Sequence, residues 1–535
     1  MNKKEFPEIQ VASGVPEVIV VEGSDYEMGY QYGTKLAEKI FASVAVSSKS
    51  VYSAFGKETT NQDMQVLQRF AEQYDPGLLE WQRGVMDGCT ARGYKVTMED
   101  LMLLTAFTSE FWAHPTKPYP ETMDQSEIEP SELFGAPDKT EKHFCTGFAA
   151  AGDAVKEGEP LIGVSGGSAY EAIDRIILIS FPDDGPSTIT FPTIGKSYDQ
   201  EGMNSNGFAW VMTGNMSEDY GWGIMPEMAF HFLTRYISKP EDAIKWLSEI
   251  PRSGAFANFV MCDAEGDISV VETNAHHFFV RKPGHMGETK NFALVTNHFE
   301  APETRGYNIS LDGMDWQVWN RNSITRYATA WEYLKEAAEK DGIDIEMLRK
   351  MYHSDDWFDP DTKEWHINEP GVDQGFNSGF DGFDYTHQSV LCPQSKTAYL
   401  IQGTGSGVGM PAGSTGEFAQ IGLKDSPLAC ADSMQELTFN QFIRARAYLS
   451  KMVNGCESIK KNYLLKKELL NMLDEAYLAY ESGWNRAAFA YREGQEQQPQ
   501  KEAILSLLSE AMSYYVKAQL KIGQLKSELD ELANS

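Results

Sequence analysis

The sequence predicts an α+β fold in which sheets are covered by helices, rather than one built from repeating strand–helix–strand units. Apolar residues recur at helical spacing towards both ends of the chain, and short β-branched and aromatic runs crowd the middle. A chain of 535 residues with 42% hydrophobic and 12% aromatic residues can bury a large core. We therefore expect most of the chain to be folded.

The first 112 residues are predicted to be a helical segment. Ser24 is typical of a helix N-cap, and the apolar positions after it keep helical spacing as far as Ile40. A Thr97-x-x-Asp100 pattern caps a later helix. Residues 113–144 carry five prolines among acidic residues and show no apolar period, which predicts an exposed linker.

Residues 145–432 hold the strand signals and form the predicted core. Short runs bounded by Gly, Pro, Asn or Asp occur at 148–151, 175–181, 188–191, 208–213, 259–262, 268–272, 277–280, 389–392 and 398–401. Helical patterns interrupt them at 226–236, 241–249 and 323–340.

Residues 433–535 are predicted to be helical again. Two apolar stripes lie on either side of a polar break at Pro499, which indicates a helical hairpin. We interpret this hairpin as a packing or oligomerisation appendage, so a homo-oligomer held by the C-terminal helices is one expected partner state.

The charge balance excludes several classes of partner. A net charge of -32 repels phosphate backbones and anionic membrane surfaces, so neither nucleic acid nor a membrane is expected as a partner. Glu5, Phe6 and Pro7 stand where a secretory signal needs an apolar run, and no stretch approaches the roughly 18 apolar residues that cross a bilayer. We expect a cytoplasmic protein that acts on a small molecule.

The six cysteines lie far apart, which argues against a disulfide framework or a zinc site, and no motif predicts a metal or another cofactor. Cys145 differs from the others because it stands where the predicted linker meets the first strand. Cutting the Phe144–Cys145 bond would free an amine and a thiol on one residue. An α-amine, with a reference pKa of about 7.7–8.0, can then act as the base for that thiol.

Several short motifs occur in an order that is more informative than any one of them. They are Glu22-Gly23-Ser24-x-Tyr26-x-x-Gly29-Tyr30-x-x-Gly33, Arg83-Gly84-Val85-x-Asp87-Gly88, Glu99-Asp100-Leu101 with Ser109-Glu110-Phe111, Cys145-Thr146, Gly202-x-Asn204-x-x-Gly207, Asn215, Thr296-Asn297-His298-Phe299 and Asn322-Ser323-x-x-Arg326. Over about its first 410 residues the chain thereby resembles the acyl-coenzyme A:isopenicillin N acyltransferase family, also called the penicillin acyltransferase-like family.

The resemblance implies a four-layer αββα sandwich of the N-terminal-nucleophile type, activated by self-cleavage. It also implies hydrolysis of linear amides, or acyl transfer to an amine, through an acyl-enzyme. Cys145 then looks like the nucleophile, with Thr146 as its usual neighbour and Phe144–Cys145 as the cleavage site. Asn215 looks like the oxyanion-hole side chain, and Arg326 like the basic residue that orients the pocket. The Asn297-His298 pair matches a motif to which we give a supporting role.

The sequence departs from the family pattern at one place. The strand after the nucleophile usually ends in Gly-x-Asn-x-Asp, whereas this chain has Gly163-Val164-Ser165-Gly166-Gly167. Asp174 and Asp199 are alternative carboxylates, without support from the sequence for either. Cys89, in Asp87-Gly88-Cys89-Thr90, also resembles a cleavage site, but it precedes the Glu99–Glu110 block that the family's cleavage site follows, so we prefer Cys145.

Two other functions stay open. The Gly163-x-Ser165-x-Gly167 pattern fits a nucleophile elbow and predicts a serine hydrolase that uses Ser165, although the chain lacks alternating strand–helix units and an HGGG-type motif. The missing aspartate and the long C-terminal helices would also suit a non-catalytic binding or scaffold protein.

Overall fold

A computed structural model describes most of the chain. The described residues are 16–106, 145–166, 175–215, 217, 219, 221–253, 257–308, 317, 320–352, 354, 356–367, 387–402 and 418–534. The predicted linker 113–144, the cleavage-site residue Phe144, the Ser109-Glu110-Phe111 motif and Asp174 lie outside the described residues.

The α-helices of the described residues fall into three groups along the chain, as the sequence predicts. Their bounds are α1 Asp25–Phe55, α2 Lys57–Tyr74, α3 Pro76–Ala91, α4 Met98–Ala106, α5 Pro226–Tyr236, α6 Pro240–Glu249, α7 Arg321–Lys340, α8 Ile345–Tyr352, α9 Pro427–Gly455, α10 Glu457–Lys461, α11 Tyr463–Glu493 and α12 Lys501–Asn534. Ser24 caps α1 and forms a capping box with Glu27, which confirms the predicted start.

The strands form two large sheets and one small ribbon. Their bounds are β1 Glu17–Gly23, β2 Thr146–Ala150, β3 Leu161–Gly166, β4 Ile176–Pro182, β5 Thr188–Thr190, β6 Glu201–Asn204, β7 Phe208–Gly214, β8 Ala257–Asp263, β9 Ile268–Thr273, β10 Phe278–Arg281, β11 Phe292–Val295, β12 Trp357–Phe358, β13 Trp365–His366, β14 His387–Cys392, β15 Thr397–Gln402 and β16 Ala419–Gly422. The eight-stranded sheet has the order β1-β4-β5-β6-β7-β8-β9-β10, and the six-stranded sheet has the order β11-β2-β3-β14-β15-β16.

The two sheets pack face to face, with helices on both outer surfaces. In β7, Ala209 and Val211 point into the layer between the sheets, whereas Trp210 packs with the helices on the other side. In β2, Ala149 faces the same inner layer and Phe148 packs beneath α7 and α8. This alternation follows from the period of two along a strand. The predicted four-layer αββα sandwich is confirmed.

The N-terminal segment is part of this sandwich rather than an independent helical unit. Before its helices it contributes β1, which runs parallel to β4 at the edge of the eight-stranded sheet. Sequence analysis missed β1, whose apolar run is only four residues long between Glu17 and Glu22. Helices α1 to α4 then cover the outer face of that sheet.

The C-terminal helices cover one edge of each sheet. The predicted hairpin is confirmed as α11 and α12, and α9 packs against both. Ser513 and Ser509 of α12 accept hydrogen bonds from the backbone N–H groups of Val18 and Val20 in β1. The side chain of Gln519 bonds both backbone groups of Gln420 in β16. Helix α12 therefore satisfies strand edges that would otherwise lack partners.

The helices of the described residues include none that is both long enough and apolar enough to cross a membrane.

Glycines allow α1 and α3 to cross at very short distance. A Cβ atom on Gly84 would lie 2.0 Å from the carbonyl oxygen of Tyr26, and one on Gly29 would lie 2.1 Å from that of Trp81. These contacts are with backbone, which cannot rotate away. The glycine spacing in the two N-terminal motifs thus has a packing cause.

We predict that Gly84→Ala lowers the free energy of unfolding by roughly 1–3 kcal/mol or more, because the helices must separate. Urea titrations followed by circular dichroism measure this. The matched control is Gly455→Ala at the end of α9, where an added Cβ meets nothing within 4 Å. That variant should be neutral or slightly stabilised, and equal losses in both variants would contradict the packing account.

A buried histidine ties α5 to the N-terminal helices. His231 Nδ1 lies 2.8 Å from Asp75 Oδ2, and its Nε2 lies 3.6 Å from Asp25 Oδ1. Arg235 Nε also donates to Asp25 at 3.0 Å, and the rings of Tyr198 and Tyr236 pack on the imidazole. Burial lowers the pKa of His231, but the two carboxylates outweigh it and raise the pKa to about 9.

Because the folded-state pKa of His231 lies above its unfolded value of about 6.5, its stabilisation is fully present below pH 6.5 and is lost as the pH rises through 9. We predict that the free energy of unfolding decreases by roughly 2–3 kcal/mol when the pH is raised from 6.5 to 9.5. Urea titrations at several pH values measure this decrease. In His231→Gln this part of the pH dependence should vanish, whereas His285→Gln at a partly exposed site should keep it. If His231→Gln loses as much stability over this pH range as the parent, the pH dependence comes from other groups and the prediction is contradicted.

Candidate active site

Cys145 lies at the head of a central strand. It directly precedes β2, which pairs with β11 on one side and β3 on the other. The residue is 2% exposed. Its position directly before a strand is the one that the sequence predicts.

Asn297 holds the backbone nitrogen of Cys145. It follows β11, and its Oδ1 accepts the Cys145 N–H at 2.8 Å. Its Nδ2 donates at 2.8 Å to the carbonyl oxygen of Gly214, which ends β7 in the other sheet. Asn297 therefore links the nucleophile candidate to both sheets, which is a more direct contact than the supporting role we gave it.

Arg326 holds the other side of the same residue. Its guanidinium is fully buried on α7, and Nη1 donates to the Cys145 carbonyl oxygen and, at 2.9 Å, to Thr146 Oγ1. Nη2 donates to Asn297 Oδ1 at 2.8 Å, while Nε donates to Asn322 Oδ1 at the same distance. The structure thus brings together Cys145, Thr146, Asn297 and Arg326, which are between one and 181 residues apart.

Gln200 approaches the sulfur itself. Its Nε2 lies 3.2 Å from Cys145 Sγ, and it precedes β6 in the opposite sheet. Its Oε1 is buried and has no hydrogen-bond partner among the described residues. Sequence reasoning missed Gln200 because it belongs to no motif. Its position two residues before the Gly202 turn motif was the only available signal.

Asn215 lies one residue beyond Gly214, within the same network. Its Nδ2 donates at 2.8 Å to Asn258 Oδ1, and Asn258 in turn bonds the carbonyl oxygens of Thr296 and His298. Asn215 is connected to Cys145 indirectly, through Gly214 and Asn297. It does not belong to the clamp, as we call the two side chains Asn297 and Arg326 that bond the Cys145 backbone.

His298 is buried in a polar cluster of its own. Its Nδ1 lies 2.7 Å from Ser323 Oγ and 3.1 Å from Thr296 Oγ1, and its Nε2 contacts Glu300. These contacts fix the loop after β11 against α7, which agrees with a supporting role. Nowhere in the described ranges do three His, Cys, Asp or Glu side chains converge in a way that could hold a metal ion.

Ser165, the nucleophile of the alternative serine-hydrolase hypothesis, lies inside a strand. An elbow nucleophile projects from a sharp turn after its strand, whereas Ser165 is a fully buried residue inside β3, paired in register with Thr146. Its Oγ accepts from Gln388 at 3.3 Å. Ser165 thus supports the strand next to Cys145, and the elbow interpretation is wrong.

The alternative carboxylate Asp199 is committed to a buried charge cluster. Its Oδ2 accepts from Thr193 Oγ1 at 2.8 Å and lies 3.5 Å from Arg175 Nη1 and 3.8 Å from Lys196 Nζ. It immediately precedes Gln200, so this cluster anchors the segment that carries Gln200 towards the sulfur.

The other cysteines lie in ordinary environments. Cys89 is inside α3, and burial raises the pKa of its thiol to about 11. Burial likewise raises the pKa of Cys430 to about 12 and raises those of Cys262 and Cys392. Cys456 is partly exposed, and a hydrogen bond with Ser458 lowers the pKa of its thiol.

The family comparison bears on the polar residues around Cys145. The family model described as acyl-coenzyme A:6-aminopenicillanic acid acyl-transferase matches residues 178–366. The resemblance predicted from the sequence is confirmed over that range, which includes Gln200, Asn215, Asn297 and Arg326 and begins after Cys145.

The individual proteins to which the chain is similar share little sequence identity with it. An uncharacterized protein of Archaeoglobus fulgidus is 24% identical over 346 residues, which are 57% of this chain and 53% of that protein, so the chain spans about half the length of this relative. A conjugated bile acid hydrolase of Clostridium perfringens is 15% identical, with 48% of this chain and 89% of that one covered and a TM-score of 0.29. A Caenorhabditis elegans N-acylethanolamine-hydrolyzing acid amidase ortholog is 12% identical, with 47% and 93% covered and a TM-score of 0.31.

We predict that Arg326→Lys lowers the free energy of unfolding by roughly 2–4 kcal/mol, because an ammonium cannot reach the four oxygens that the guanidinium bonds and leaves buried acceptors unsatisfied. Urea titration checks the value. The control is Arg83→Lys, an exposed pair with Glu80 on α3, which should stay within about 0.5 kcal/mol of the parent. Parent-like stability of Arg326→Lys would contradict the described clamp.

Proposed function

We propose that this protein is a cysteine amidohydrolase or acyltransferase whose nucleophile, Cys145, is released when the backbone breaks before it. The observation that carries the proposal is the double hold on Cys145, with Asn297 on its backbone nitrogen and Arg326 on its carbonyl oxygen. A residue held on both sides keeps its place when the preceding peptide bond is cut.

The hold on nitrogen also suits the chemistry that follows cleavage. Once the bond is broken, the nitrogen becomes a free amine, and Asn297 Oδ1 can keep accepting one of its hydrogens. The lone pair of the neutral amine is then available to take the proton of the thiol on the same residue. Nucleophile and base arise together in one step.

Self-cleavage begins with attack of Cys145 Sγ on the carbonyl carbon of Phe144. The C–N bond breaks, the thiol proton passes to the nitrogen, and the acyl chain is held as a thioester. Water then adds to the thioester, which releases a carboxylate on Phe144 and returns the thiol. The N-terminal fragment would stay bound, because β1 pairs with β4 and α1 to α4 pack on the sheet.

Substrate turnover repeats the same chemistry on an external acyl group. Sγ adds to the carbonyl carbon of a linear amide or acyl thioester, and the amine of Cys145 takes the proton and gives it to the leaving group. Water or an amine then attacks the thioester, which completes hydrolysis or acyl transfer. The matched family is described by an acyl-coenzyme A donor and an amine acceptor, which supports this substrate class.

Two side chains are proposed to stabilise charge during the reaction. Gln200 Nε2 donates towards the sulfur, and such a donor favours the thiolate over the thiol. Asn215 remains our candidate for the oxyanion, since its amide is oriented by Asn258 and stands beside Gly214. Removal of one oxyanion donor typically costs about 100-fold to 1,000-fold in kcat.

We predict that the purified parent chain separates under denaturing conditions into fragments 1–144 and 145–535, and that Cys145→Ala stays intact because no thiol can attack Phe144. Intact-mass spectrometry reads the outcome directly. Cys89→Ala is the matched control, since that thiol is buried inside α3, and it should process like the parent.

The same variants separate the remaining functions on a panel of N-acyl amino acids, peptides and acyl-CoA donors. Cys145→Ala should be inactive on every substrate that the parent turns over, while Ser165→Ala should keep activity. An active Cys145→Ala would contradict the proposal. A parent that neither processes nor turns over any substrate would favour a binding or scaffold protein.

A further inference from the structure

One helix carries an unusual share of the exposed apolar surface. Among the described residues, 15 large apolar side chains are exposed, and eight of them lie on α11. Monomeric proteins scatter such residues singly, so a concentration on one helix marks an interaction surface.

Five of these residues repeat at an interval of seven. We call Tyr463, Leu470, Tyr477, Trp484 and Tyr491 the heptad line; their exposed fractions run from 42% to 75%. The inward side of the helix is occupied separately, because Leu469, Leu473 and Ala476 are buried among α9 and α12. Most of the heptad line is therefore additional to the positions that fix α11 in the fold, and within the described residues only Tyr477 also has a ring contact with α9, to Phe442.

A strict interval of seven has a geometric meaning. A straight α-helix turns about 20° short of two full turns in seven residues, so such a line drifts slowly around the helix. A partner helix that follows it must cross with a left-handed twist, as in a coiled coil. The four intervals span about 42 Å, enough for a long helix–helix contact.

We propose that the heptad line is the surface through which two copies of this chain associate, with α11 packing antiparallel on α11 of the second copy. A two-fold axis at Tyr477 brings Tyr463 opposite the partner's Tyr491 and Leu470 opposite the partner's Trp484. The line is thus self-complementary, with the smallest side chain facing the largest. Isologous pairing of this kind is the common form of a homodimer interface.

Charge favours a second copy at this place. The whole chain has a net charge of -32, which makes two copies repel each other over most of their surfaces. Residues 457–493, which form α10 and α11, contain six Lys or Arg and six Asp or Glu residues and are neutral overall. Two copies can therefore meet along α11 without adding like charges.

Sedimentation velocity of the full chain at several concentrations tests the proposal. The parent should show a species of twice 59.9 kDa that dissociates on dilution. Leu470→Glu should weaken the dimer at least about 100-fold, because two carboxylates enter an apolar contact. A parent that stays monomeric up to about 100 μM would overturn the proposal.

The control is Leu478→Glu, which alters a more exposed leucine, 59% against 42%, on the same helix but off the heptad line. It should change the dissociation constant by less than about threefold. If both variants weaken the dimer equally, association depends on exposed apolar surface in general and the proposed heptad geometry is overturned. If Leu470→Glu misfolds by circular dichroism, Trp484→Glu takes its place.

Disulfide trapping fixes the orientation. In a Cys456→Ser background, Tyr463→Cys combined with Tyr491→Cys should oxidise to a covalent dimer, whereas Tyr463→Cys alone should not. Efficient cross-linking of Tyr463→Cys alone would show parallel helices and overturn the antiparallel arrangement.

Discussion

The buried guanidinium of Arg326 is the interaction on which the site depends. A charge removed from water is tolerated only when its donors meet acceptors, and here these are the Cys145 carbonyl, Thr146 and Asn297, with Asn322 on its own helix. The rigid fork of the side chain allows little variation in their positions. It therefore holds α7, the start of β2 and the loop after β11 in one arrangement, and with them the backbone of Cys145.

The site also depends on the close approach of the two sheets. A Cβ atom at Gly147 would lie 3.1 Å from Val211 of β7 in the eight-stranded sheet, so the glycine lets that sheet come close to β2. Through this approach the opposite sheet supplies Gln200 to the sulfur and Gly214 to Asn297. Helix α12 forms hydrogen bonds with β1 at one edge of the eight-stranded sheet and with β16 at one edge of the six-stranded sheet. The C-terminal helices therefore also help to hold the two sheets together.

The sequence predicted the layers well because their causes are local. Alternating apolar residues, capping residues and turn residues gave most strands and helices, and ordered motifs pointed to Cys145, Asn297 and Arg326. The position of Gln200 depends instead on how β6 stands across from β2, which no local pattern records. Sequence analysis used Gly29 and Gly84 only as parts of family motifs. Their packing role, which lets α1 and α3 touch, depends on the crossing of two helices and is not visible in the sequence. Likewise Ser165 matched an elbow motif, and only its pairing inside β3 excluded that role.

The central claim is that Cys145 becomes the first residue of a new chain with an active thiol. The most direct measurement is quantitative mass spectrometry of tryptic peptides after brief alkylation of native protein, because trypsin cuts after Lys142 and Lys156. We expect an alkylated peptide 145–156 that begins at Cys145, formed much faster than the alkylated Cys89 peptide. Recovery of Cys145 only in peptide 143–156, alkylated no faster than Cys89, would contradict the account.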